Sequence, residues 1–91
     1  MNPQWTIWKY ELDIVGHQTL MIPAGGIVLS VQIQKGVACI WVLVNPEKEK
    51  VERKFAIFGT GHPITTVNSG RNFIGTIQID GGNLVFHVFE E

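Results

Sequence analysis

The chain is poor in the residue types that carry most sequence-level functional signals. It has one cysteine, so an internal disulfide is excluded, and the expected compartment is a reducing one. Only 16% of its residues are charged, with seven basic against eight acidic side chains and a net charge of −1. There is no basic patch to neutralise a phosphate backbone, which argues against DNA or RNA as partner. Arginine occurs twice, as Arg53 and Arg71. The longest apolar run, Val37 to Val44, is too short to span a bilayer, and the opening segment MNPQWTIWKYELD lacks a basic region followed by a long apolar stretch. A soluble, cytoplasmic protein without membrane contact is the expectation. Helical periodicity is weak throughout.

What is present is β-branched and aromatic sequence cut into short runs by Gly, Pro, Asn and Asp. At 91 residues the chain is expected to form a single domain, 1–91, with a modest core. Hydrophobic residues make up 45%, more than a lone small domain usually carries. That excess points to a β-rich core, to a homo-oligomer that buries apolar surface between copies, or to both.

Trp5 to Val15 reads as a strand with Trp8, Tyr10, Leu12 and Ile14 on its core face. Gln18 to Ile22 follows as a short strand, and PAGG at Pro23–Gly26 breaks the chain. Ile27, Leu29, Val31 and Ile33 then share one face of a strand, with Val28, Ser30, Gln32 and Gln34 on the other. Lys35-Gly36 fits a two-residue hairpin turn leading into Val37–Val44, apolar on both faces and therefore a central or interface strand. The charged run Asn45 to Lys50 reads as a solvated loop. VERKFAIF, FIGTIQI and NLVFHVF complete the set, the last two joined by Asp80-Gly81-Gly82. Six to seven strands with hairpin-length turns predict an all-β, compact antiparallel sandwich or small barrel. One short helix near Thr66 to Arg71 is possible within a polar loop, Thr65 to Asn72.

The polar chemistry concentrates in FGTGHPI. Gly59 and Gly61 can adopt positive φ and expose successive N–H groups as an anion-holding nest, with the Thr60 hydroxyl and the His62 imidazole as further donors. The plainer reading is a tight turn that needs two glycines. Arg53 and Arg71 could add planar forks for a phosphate, or remain solvated surface charges. Trp41 with Gln32, Gln34, Thr76 and Gln78 could form a face that stacks on a nucleobase and reads its edges, or an ordinary exposed sheet with Trp41 in the core. His87 reads as a core or interface histidine with one hydrogen bond. Cys39 sits mid-strand, where a thiol is inert packing. The histidines lack metal-ligand spacing, and no nucleophile elbow or paired carboxylates stand out. The expectation is a protein that is not an enzyme, with no catalytic residue, metal or cofactor; a nucleotide-degrading activity built on His62 ranks last.

KYEL, VQIQKGVACIWVLVNP, RKFAIFGTGHPI and NFIGTIQIDGGNLVFHVFE, in this order and spacing, resemble a family of short phage and prophage proteins over nearly the whole chain. GTGHPI, FIGTIQ and the LVFHVFE ending are the most specific parts. In size, class and setting the chain is also similar to phage sponges, multimers that hold nucleotide immune signals without cleaving them. That analogy implies a small nucleotide ligand, a cyclic dinucleotide or an ADP-ribose derivative, bound in the host cytoplasm. On it, the GTGHP loop, Arg53 and Arg71 would supply phosphate donors. A phage accessory or structural protein acting through protein contacts is the alternative.

Overall fold

The computed structural model describes residues 4–64 and 71–91. Seven strands run in chain order: β1 (Thr6–Leu12), β2 (His17–Pro23), β3 (Ile27–Gln34), β4 (Val37–Val44), β5 (Lys50–Gly59), β6 (Asn72–Ile79) and β7 (Leu84–Glu90). A 3₁₀ turn, Asp80–Gly82, links the last two. The strands form two antiparallel sheets, ordered β1-β4-β3 and β2-β5-β7-β6. The fold is all-β, as the alternation and turn spacing predict. Of the helix expected near Thr66 to Arg71, residues 66–70 lie outside the described residues. Among the described residues no helix is long and apolar enough to cross a membrane.

The core forms where the two inner faces meet. Leu12, Val31, Ala38, Ile40, Val42 and Val44 come from the three-stranded sheet, and Ile22, Phe55, Ile57, Ile77 and Val88 from the four-stranded one. β4 is the central strand of its sheet, which explains its apolar character on both faces. Its even positions enter the core, while Cys39, Trp41 and Leu43 belong to the opposite, outer face, where Cys39 is nevertheless buried. Lys35 and Gly36 both have positive φ (50° and 81°), the backbone of a tight turn whose twist matches its flanking strands.

Two expectations fail at strand ends. β1 stops at Leu12, so Ile14 is not a core residue but an exposed one. The Gln18 side chain accepts from the Asp13 N–H (3.0 Å) and donates to the Asp13 carbonyl (2.7 Å), fastening a turn where the strand was expected to continue. In β3 the register against β4 shifts between Val28 and Ser30. The extra residue reverses the alternation: Val28 packs on the core, while Ile27 (54% exposed) and Leu29 point to water. β6 carries a similar irregularity between Phe73 and Gly75. There β6 lies so close to β3 that a Cβ on Gly75 would come within 2.8 Å of Val31 Cγ1.

Candidate functional site

The outer face of the four-stranded sheet gathers most of the polar chemistry. Antiparallel pairing sets Phe58 of β5 and Thr76 of β6 on either side of His87 of β7. After Gly59 the chain turns, and the Thr60 N–H donates to the Val85 carbonyl (3.0 Å). This brings the Thr60 hydroxyl to 2.7 Å from His87 Nε2, while the Thr76 hydroxyl lies 3.0 Å from Nδ1. A hydroxyl can donate or accept, so either neutral tautomer of His87 is fully satisfied, and a protonated ring could donate to both. The half-buried ring is thus held by two hydrogen bonds, from the turn after β5 and from β6, not by the single bond expected of it.

One rung away, Arg71 lies against Phe58 and Phe89, its guanidinium carbon 5.1 Å and 6.0 Å from their ring centroids. Its Nη2 donates to Glu91 Oε2 (2.8 Å), and the side chain is only 8% exposed. The other Glu91 oxygen meets His17 Nδ1 at 2.7 Å. Arg71, and secondarily His17, hold the Glu91 carboxyl below the ordinary glutamate range. Edge-on contacts join His17 to Phe58 (6.0 Å), Phe58 to Phe89 (6.0 Å) and Phe89 to Phe73 (5.4 Å). Phe73 ends this aromatic row with 60% of its surface exposed. A shallow cleft of about 550 Å³ opens at the other end of the row, lined by His17, Gln18, Thr19, Lys54 and Glu91.

The expected site residues therefore separate. Thr60, Thr76 and Arg71 share this face, and Gln78 follows Thr76 on the same side of β6, opposite Val85. Gly59, Gly61 and His62 do not form the expected nest. Only Gly61 has positive φ (83°), and the Thr60 and His62 N–H groups are spent on the Val85 and Gly59 carbonyls. Gly59 serves instead to admit the His62 ring, since a Cβ there would sit 2.7 Å from its Nδ1. His62 lines two clefts, of about 320 Å³ with Asn83, Leu84 and Phe86, and of about 400 Å³ with Ile14, Val15 and Pro63.

Arg53 is no free phosphate donor. Both arms of its fork engage Glu90, through Nε and through Nη2 (2.9 Å), and Nη1 donates to the Gly26 carbonyl (2.9 Å). Glu90 thereby keeps the guanidinium more firmly protonated than usual. Trp41, Gln32 and Gln34 lie on the outer face of the other sheet, where Lys9 donates to Gln34 Oε1 (2.8 Å). Trp41 is half-buried there, not in the core, and one chain does not unite these three with Thr76 and Gln78.

Sequence reasoning missed His87, Phe58, Phe73, Phe89, His17 and Glu91 as parts of one face. The alternation Val85, His87, Phe89, Glu91 was available, and it places all four on one side of β7 and its extension. Among the described residues no group of three or more His, Cys, Asp or Glu side chains is arranged to hold a metal ion. No curated protein and no solved structure matches the chain. Residues 3–91 match the model of the family described as Domain of unknown function (DUF7352), and with nearly its whole length covered the chain belongs to that family.

Proposed function

We propose that this chain is a non-catalytic binding module that captures a small nucleotide signal, cyclic or ADP-ribose-derived, on the outer face of its four-stranded sheet. The setting is the one the sequence resemblance implies: a phage protein that withholds an immune signal in the host cytoplasm. One observation carries the reading. The aromatic row from Phe58 to the exposed Phe73 lies beside the Arg71 cation and the hydroxyl-held His87 on a single face. A base can stack on Phe73, phosphate oxygens can approach the exposed Lys54, and the Thr76, Gln78 and His87 edges can accept or donate to polar ring atoms. The reading asks only for binding groups, and the His17–Glu91 pair on this face is itself engaged by Arg71, so the ligand leaves as it came.

A thermal-shift screen against cyclic dinucleotides, cyclic trinucleotides, cyclic ADP-ribose isomers and simple nucleotides tests it, because a ligand of the native state raises the melting temperature by mass action. One ligand class is expected to shift the protein. Phe73→Ala then weakens that ligand about tenfold or more, as loss of a stacking platform does. His62→Ala leaves it unchanged, since His62 lies at the end of the sandwich. The bound ligand is recovered intact after long incubation. No shift with any ligand, or full affinity in Phe73→Ala, overturns the proposal.

The second reading, an accessory protein working through protein contacts, is favoured by the rung Ile7–Leu43–Ile27 on the opposite outer face. Ile7 and Ile27 there are each 54% exposed. Under it the whole nucleotide panel leaves the melting temperature unmoved.

A further inference from the structure

Each sheet has two edge strands, and an edge presents unpaired N–H and C=O groups on which another chain can build. Natural proteins blunt such edges with bulges, prolines or cover. Three of the four edges here are treated in this way. β3 and β6 each carry a bulge and lie against one another, in contact at Gly75 and Val31. β2 ends in Pro23. β1 is different: its seven residues pair with β4 in unbroken register, it contains no proline or glycine, and among the described residues it is hydrogen-bonded along one side only.

The charges on β1 specify an occupant for that edge. Lys9 and Glu11 are exposed and lie on its outer face, two positions apart, with Tyr10 between them. A second copy that adds antiparallel about a two-fold axis must pair positions of equal parity, because only then do both cores lie on the same side of the extended sheet. With the axis at Tyr10, Lys9 faces Glu11 of the partner subunit and Glu11 faces Lys9 of the partner subunit. Moving the axis one position toward the N-terminus sets lysine against lysine. Moving it one position the other way sets glutamate against glutamate. Opposite charges directly across a ladder stabilise it and like charges oppose it, so one register is selected. Lys9 already donates to Gln34 Oε1, but an ammonium group has three protons and can serve a carboxylate as well.

We propose that β1 is a homodimer edge: two copies join β1 to β1 about an axis at Tyr10, extending the three-stranded sheet into one of six strands. This does not depend on the ligand proposed above.

Charge reversal tests both the surface and the register. In sedimentation equilibrium the wild-type chain is a dimer. Lys9→Glu and Glu11→Lys, each at an exposed position, keep the wild-type melting profile of the isolated fold and each weaken the dimer about tenfold or more. An equimolar mixture of the two single variants associates again, because every facing pair is then Glu opposite Lys, and the double variant Lys9→Glu/Glu11→Lys dimerises like the wild type. A wild-type chain that stays monomeric at high concentration overturns the proposal. So do single variants that dimerise normally, or a mixture that fails to recover.

Discussion

Arg53 shows how an apparently solvated charge becomes a structural part. Its position on β5 shares the parity of Phe55 and Ile57, so it belongs to the inner face and must find partners there. Glu90 of β7 has the same inward parity, and the Gly26 carbonyl takes the remaining arm of the fork. The residue ties three separate segments together, and the geometry uses the planar guanidinium, which lysine cannot copy. Arg53→Ala leaves the Glu90 carboxylate partly buried without its main donor, and the expected loss is about 2 kcal/mol, typical of a hydrogen bond to a charged group. Urea denaturation would read this as a lower midpoint at unchanged slope. Arg53→Lys recovers only part of it. His62 is the contrary case. Its ring rests on Gly59 for want of a Cβ, and nothing at that position in the sequence distinguishes a glycine kept for its backbone from one kept for a neighbour's ring.

At the level of strands and turns, the elements that were legible are those set by local chemistry. Lys35-Gly36 marks a tight hairpin because few other residue pairs accept its backbone, and β4 reveals its central place through apolar residues on both faces. The β3 bulge was not legible. Ile27, Leu29, Val31 and Ile33 form a clean alternation, and only docking of β3 against its neighbours decides that the first two turn outward. Likewise the His87 site was hidden because its partners come from Thr60 and Thr76, far along the chain and joined only by strand pairing. Gly75 marks a close approach between the sheets, and it makes a prediction about elements in place of residues. Gly75→Ala drives a methyl group into Val31 and pushes β6 away from β3, which should cost roughly 1–3 kcal/mol, the usual range for overpacking. Val31→Ala alone also destabilises, by opening space. The double variant should be more stable than the two losses added together, and a double-mutant cycle by chemical denaturation measures that coupling.

Across the whole molecule, the four-stranded sheet is held at its full width by one carboxylate. The Glu91 backbone N–H donates to the Lys54 carbonyl of β5 (2.8 Å), while its side chain reaches His17 at the start of β2 and Arg71 beside β6. The outer β2 and β6 margins are thus linked over the aromatic row between them. Because Arg71 and then His17 lower the Glu91 value, the native state binds its proton less readily than the unfolded chain does. The stabilisation is therefore fully present above the ordinary glutamate value of 4.5 and drains away as pH falls through the lower native value. Melting temperature followed from pH 7 down to about pH 2.5 should show wild type above Glu91→Gln at neutral pH. The gap should close as the acid limb is descended, because the protonated wild-type side chain and the glutamine are then both neutral partners for Arg71. A gap that stays constant over that range would mean that Glu91 holds the sheet by shape and hydrogen bonding alone, with its charge contributing nothing.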